Sequence, residues 1–309
     1  MANVVFSLAA LFLSLALLIS GSAMLGTLVS MRLELEGFAD ASIGVILACY
    51  SVGFVMGATW GSAVIRSVGH IRAFSTYAAI ACAMTLLHPL MVSEQAWAVM
   101  RLVMGFCLAG LMTVTESWIN DRATNESRGK LLGLYTINFY IASALGQLFV
   151  GISDPSRAVA FSVVAILIVL SLVPLSLTRG LVPLAPSQTA VLGIAQLVRK
   201  APAGVTGVLV AGVAIGAFIS LAPLYALRQG LDTTMLSRYM GFSVICAVLL
   251  QWPAGWLSDR LGRLPVLAGV LAAGGAAALL VALFGSLSLA LMFLLSGLFF
   301  AVATSMYPV

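Results

Sequence analysis

Charge is what this sequence lacks most. Only 8% of its 309 residues are Asp, Glu, Lys or Arg, while 62% are hydrophobic. A soluble domain carries roughly 25% charged residues, so a chain this poor in charge cannot cover a water-facing surface. The first 30 positions hold no Lys or Arg. Their apolar run, Val4 to Met31, is too long for the core of a cleaved signal peptide and reads as a first membrane span.

Other absences narrow the function. The four cysteines, Cys49, Cys82, Cys107 and Cys246, lie in apolar runs without C-x-x-C spacing. They read as small packing residues rather than metal ligands or disulfide partners. No G-x-x-x-x-G-K-[ST] loop is present to cradle nucleotide phosphates, which argues against an ATP-driven machine. The net charge of +5 invites a nucleic-acid reading, but the 15 Lys and Arg are spread singly or in short groups between apolar runs. They form no basic stripe or tail. The spans hold no His/Asp/Glu cluster at ligand spacing and no Ser–His pairing at a helical interval, so neither an enzyme nor a metal or cofactor is expected.

What is present is a series of apolar stretches. A membrane helix needs about 20 predominantly apolar residues in a row, and ten runs qualify, near 5–30, 42–65, 73–92, 96–119, 131–151, 158–178, 205–227, 235–257, 265–284 and 288–309. Most are rich in Gly, Ala and Ser, as close helix contact in a membrane requires; Gly57 and Gly61 form one small-xxx-small pair. The fold class is an all-α integral membrane protein with the lipid bilayer as its solvent.

Loop charges set an orientation. With the N-terminus inside, the cytoplasmic loops carry Arg66, Arg72, Arg122, Arg128, Lys130, Arg179, Arg199, Lys200, Arg260 and Arg263, and the opposite side carries Arg32, Arg157, Arg228 and Arg238. That bias follows the positive-inside rule and predicts a cytoplasmic N-terminus. The longest polar interval, 179–204, holds Pro183, Pro186, Ser187, Arg199, Lys200 and Pro202. It is expected to link a six-helix bundle over 1–178 to a second bundle over 205–309, with four spans. Val191–Lys200 within it reads equally as a surface amphipathic helix or as plain linker.

The two halves carry matching landmarks. Glu36-Gly37-Phe38 precedes the second span and Gln229-Gly230-Leu231 the eighth; Arg66-Ser-Val-Gly69-His-Ile-Arg72 follows the second and Gly255-Trp-Leu-Ser-Asp259-Arg260-Leu-Gly262-Arg263 the eighth. Gly37 and Gly230 are 193 positions apart, as are Gly69 and Gly262. One offset at two landmarks predicts a duplicated helical unit, an architecture that places a substrate path between repeats.

Gly255-x-x-x-Asp259-Arg260-x-Gly262-Arg263 resembles the signature loop of the major facilitator superfamily, which that family carries once per half. The first-half copy departs from it, with Ile65-Arg66 where an acidic–basic pair is expected. Arg101-Leu-Val-Met-Gly105 resembles the family's fourth-span motif, whose arginine is linked to proton transfer. Glu116-Ser-Trp-Ile-Asn120-Asp121, Arg128-Gly129-Lys130, Tyr140 and Ala144-Leu-Gly146-Gln147 are similar to the YcaD-type branch of poorly characterised bacterial transporters. The resemblance covers the whole chain. It implies a two-bundle fold of six plus six spans, of which six plus four are found, in the inner membrane of a bacterium. It implies secondary transport of a small solute by alternating access, acting as a monomer, with proton coupling left open. Gly146 is followed by Gln147 where drug–proton antiporters often have Gly-Pro, so transport in general is better supported than drug efflux. A receptor or scaffold that keeps the fold without transport is the alternative.

Candidate site residues follow. Arg101 and Glu116 are candidates for proton coupling, because ionisable groups inside spans are costly and functional by default. Arg101 also reads as a side chain snorkelling to the interface, and Glu116 as the partner of Arg66 or Arg128. Fifteen residues, about 22 Å of helix, separate the two. Inner-rim gating falls to Asp121, Arg128, Gly255, Asp259, Arg260, Gly262 and Arg263, with an Asp259–Arg263 latch. Asn138, Tyr140, Gln147, Tyr225 and Gln251 either line a substrate path or hydrogen-bond between helices. His88, Trp97 and Trp118 read as interfacial residues. The 193-residue offset predicts two more spans than the second half shows, and Met306-Tyr-Pro-Val309 ends without a basic rim residue. The expectation is a C-terminally truncated form unable to transport alone.

Overall fold

The computed structural model describes residues 2–124, 127–152, 154–177, 194–284 and 288–305. Residues 179–193 of the expected linker, and the ending at 306–309, lie outside the described residues. Helices follow the apolar runs: α1 (Ala2–Leu35), α2 (Asp40–Val68), α3 (His70–Leu87), α4 (Glu94–Arg122), α5 (Arg128–Phe149), α6 (Ala158–Leu170), α7 (Leu172–Ser176), α8 (Ile194–Lys200), α9 (Pro202–Arg228), α10 (Thr233–Leu261), α11 (Arg263–Phe284) and α12 (Leu289–Ser305). Nine stretches among the described residues are long and apolar enough to cross a membrane, with α6 and α7 counting as one; α12 adds a shorter apolar helix of 17 residues. No strand occurs among the described residues. Backbone groups in hydrocarbon must be satisfied within their own segment, which helices achieve.

Helix boundaries are chemical. Ser93 caps α4 by accepting from the Ala96 amide at 3.3 Å, and Asp232 caps α10 by accepting from the Met235 amide at 2.7 Å. Such caps occupy otherwise orphaned amides. Pro202 begins α9 at a position where a missing N–H is no loss.

The chain divides into two compact units, Met1–Gln188 and Thr189–Val309. In the first, α4 packs against α2 and α3, while α1 packs against α5 and α6. Trp97, Trp118, Phe74, Phe161, Leu15 and Leu28 fill its interior. In the second, α12 packs against α10 and α11, with Phe218 stacked on Phe300 at 4.7 Å and Tyr239 fully buried.

The repeat is written into the backbone. The positive-φ residues among the described ones are Gly37, Gly69, Gly230 and Gly262, two pairs each 193 apart. At the end of α1, Gly37 N–H donates to Glu34 and Phe38 N–H to Leu33; at the end of α9, Gly230 donates to Leu227 and Leu231 to Ala226. Each bond has its counterpart 193 positions on. This double bond across a left-handed glycine is a helix stop that residues with a β-carbon adopt at a cost. α2 and α10 both run 29 residues, and both bounds shift by the same 193.

Candidate functional site

Small residues bring α2 and α4 together. A β-carbon on Gly53 would fall 1.9 Å from the Leu102 carbonyl oxygen, and one on Gly105 would fall 2.0 Å from that of Tyr50. Gly57 meets the Phe106 carbonyl in the same way, at 2.3 Å. Only glycine allows this approach. Tyr50 precedes Gly53 by three residues and Arg101 precedes Gly105 by four, so the crossing sets the Arg101 guanidinium over the Tyr50 ring, 4.5 Å from its centroid.

Arg101 is 4% exposed. It does not snorkel; it lies inside the unit, and its Nε has no hydrogen-bond partner. His88 and Trp97, expected at an interface, are fully buried at the same end of the helices. The His88 ring stacks on Phe161 and meets Trp97 edge-on, its Nδ1 donates to the Met84 carbonyl at 2.7 Å, and Trp97 Nε1 donates to the His88 carbonyl at 3.1 Å. His88 Nε2 has no partner. Trp118 at the other end of α4 is also buried rather than interfacial, edge-on to the His70 ring. His70 Nε2 lies 3.0 Å from Ser117 Oγ.

Glu116 is exposed on the first unit and accepts a hydrogen bond from the Tyr135 hydroxyl at 3.0 Å. Neither Arg66 nor Arg128 pairs with it. The uncharged candidates divide. Asn138 donates to the Phe12 carbonyl at 3.1 Å, and Gln147 accepts from Thr27 at 2.7 Å and donates to the Ala23 carbonyl at 3.2 Å. Both therefore tie α5 to α1, where Gly146 also lets the helix close on the Ser20 carbonyl. Tyr140 is half-buried beside Phe139, and Tyr225 and Gln251 are half-buried in the second unit.

The rim residues lie at helix ends. Asp121, Arg128, Asp259 and Arg263 are exposed, Gly255 is half-buried, and Gly262 terminates α10. Arg260 rests on the Trp256 ring, 4.0 Å from its centroid. No ion pair joins Asp259 to Arg263. Away from these, Arg32 at the end of α1 pairs with Glu36 and donates to the carbonyl of Ser156. Beside it, the hydroxyl and amide of Ser156 hold the exposed Asp154 carboxyl below the usual carboxylate range.

Tyr50 and Tyr135 are the residues that sequence reasoning missed. The available signal for Tyr50 was spacing: it stands one turn before Gly53, as Arg101 stands one turn before Gly105, and the two glycines lie on the helices that cross.

The profile of the Major Facilitator Superfamily matches residues 11–309. This chain belongs to that superfamily. It is a multi-pass bacterial membrane protein. It is 31% identical over 255 residues to the uncharacterized MFS-type transporter YcaD of Escherichia fergusonii, covering 82% of this chain and 66% of that one. YcaD of Escherichia coli O139:H28 matches at 31% over 254 residues with the same coverage. The chain thus spans just under two thirds of the length of these relatives. Among solved structures it resembles the nucleoside transporter NupG (D323A mutant), with a TM-score of 0.77 and 15% identity over 99% of this chain and 80% of that one. A bacterial homolog of the human lysosomal transporter Spinster, inward-facing and unoccupied, gives 0.74 and 19% over 99% and 74%. A D-xylose–proton symporter gives 0.67 and 14% over 97% and 79%. These structural likenesses carry the fold.

Proposed function

We propose that this superfamily member serves as a secondary transporter that moves a small solute across the bacterial inner membrane by alternating access. The observation that carries the reading is the helix series that recurs 193 positions on, with the same left-handed glycine stops. Transporters built from such repeats hold substrate at the repeat interface and rock one unit against the other. The names of the relatives, YcaD-type transporter, nucleoside transporter and D-xylose–proton symporter, support the same class.

In this reading the working parts are two bundles, 1–178 and 205–309, joined by a cytoplasmic linker over 179–204. The N-terminus is cytoplasmic, on the loop-charge argument, and the protein works in lipid as a monomer. Arg101 and Glu116, ionisable groups set within one span, carry coupling to protons. Asp121, Arg128, Gly255, Asp259, Arg260, Gly262 and Arg263 gate the inner rim. Tyr140, Tyr225 and Gln251 line the substrate path, with Asn138 and Gln147 fixing α5 beside it.

The test is an uptake screen in proteoliposomes, with and without a pH gradient, on a form that spans the full length of the relatives. Solute accumulation that follows the gradient supports transport. A reconstituted protein that moves none of a broad panel of sugars, nucleosides, acids and amines favours a receptor or scaffold role.

A further inference from the structure

Arg101 is a buried cation with no anion paired to it among the described residues. It makes no ion pair and no hydrogen bond among the described residues, and the Tyr50 ring covers its guanidinium. The sequence has ten acidic residues to offer. Glu116 is the one inside an apolar span, about 22 Å along the same helix; the other nine stand at helix ends or between spans. Attraction to an aromatic face offsets part of the cost of a buried charge, not all of it.

His88 supplies a second, independent observation. It is fully buried, its Nδ1–H is given to the Met84 carbonyl, and its Nε2 is left an acceptor without a partner, open to a donor group on the same solute. Buried polar groups are nearly always satisfied in native proteins, and the exceptions gather at working sites. Here two unsatisfied groups stand at one end of one unit, Arg101 under Tyr50 at the glycine crossing of α2 and α4, and His88 packed on Trp97 and Phe161. A guanidinium held over a ring face is not consumed by that contact, and its N–H groups remain able to donate to an acceptor. Arginine grips planar oxyanions through such N–H pairs.

We propose that Arg101, covered by the Tyr50 ring, binds the anionic oxygen group of a small solute, a carboxylate or a phosphate. The proposal deepens the transporter reading and rests on it for one point only, that the anion is cargo.

The test uses the purified 309-residue chain in detergent, titrated with benzoate, benzamide, benzylamine, inorganic phosphate and chloride. Tryptophan emission is one readout, because Trp97 packs on His88; the thermal midpoint is the other. Benzoate or phosphate should quench emission saturably and raise the midpoint, while benzamide and benzylamine do neither. Arg101→Met should abolish the response with the midpoint held or raised, since it removes a buried, unpaired charge. Should that variant fail to fold, Arg101→Lys, which keeps the charge and loses the fork, should weaken binding at least tenfold. The proposal is overturned if benzamide matches benzoate, if Arg101→Met or the folded Arg101→Lys binds as the parent does, if chloride alone responds, or if no anion responds. Oxyanion binding without uptake of any solute would instead defeat the transporter reading and leave the site standing. Transport of a solute with no Arg101-dependent anion binding would do the reverse.

Discussion

Gly69 and Gly262 stand 193 positions apart and close α2 and α10 with nearly the same backbone, φ 82° and ψ 165° in one, φ 89° and ψ 157° in the other. Nothing lies within 4 Å of a β-carbon on Gly69, and on Gly262 only Pro265 Cδ does, at 4.0 Å. The demand is therefore conformational rather than steric. Alanine at either position should cost about 1–2 kcal/mol, read as a lower thermal midpoint in detergent. Gly129→Ala, at a helical position with open space around it, should leave the midpoint level or raise it. Equal effects at all three positions would remove the conformational explanation.

Gly105 makes the opposite demand. Its φ is ordinary, but a β-carbon would fall 2.0 Å from the Tyr50 carbonyl oxygen, and backbone cannot step aside as a side-chain tip does. Gly105→Ala should force α2 and α4 apart at a cost at or above the usual 1–3 kcal/mol of overpacking, and should lower the midpoint further than Gly69→Ala. A variant as stable as the parent would show that the helices are less tightly crossed.

Much of the fold was legible in the sequence because lipid is a simple solvent. Apolar runs of span length had to become helices, and they did so within a few residues of their expected bounds, although Ser171 divides the sixth run into α6 and α7. The glycine landmarks marked the repeat because left-handed stops select glycine. Which face of each helix turns inward was not legible. A helix apolar on all sides offers no polar stripe to read, so Trp97, Trp118 and His88 were expected toward the interface and instead fill the first unit, and Arg101, which had an interior and an interfacial reading, is buried with them. Asn138 and Gln147 had two readings in the sequence, and their carbonyl partners on α1 show that both hold helices together. The Tyr135 partner of Glu116 lies on the next helix, a contact that spacing along one helix cannot reveal.

Orientation is open to a direct test. In a version with the four native cysteines replaced, Ser67→Cys and Leu261→Cys occupy exposed sites near the ends of α2 and α10. Both should react in intact cells with a membrane-permeant maleimide and resist an impermeant one. Labelling of either from outside would reverse the proposed topology and the assignment of these loops to the inner rim.

The Glu116–Tyr135 pair separates a coupling role from a structural one. Glu116 is exposed on its unit and its recorded side-chain partner is a hydroxyl, not a cation. A structural ion pair would leave an uncompensated charge when broken; this contact leaves none. Glu116→Gln keeps the shape and the capacity to accept from Tyr135, so yield and thermal midpoint should stay close to the parent's. If Glu116 exchanges a proton during the cycle, the same change should abolish accumulation driven by a pH gradient. It should spare substrate exchange at equal pH on both sides, because exchange does not require proton turnover. Tyr135→Phe removes one hydrogen bond to a charged group, worth about 1.5–3 kcal/mol, and should slow gradient-driven uptake roughly ten- to a hundredfold without the qualitative split. Proteoliposome assays of accumulation and exchange on both variants decide the matter. Glu116→Gln that still accumulates solute against its gradient removes Glu116 from coupling, and a large loss of stability would return it to a structural role.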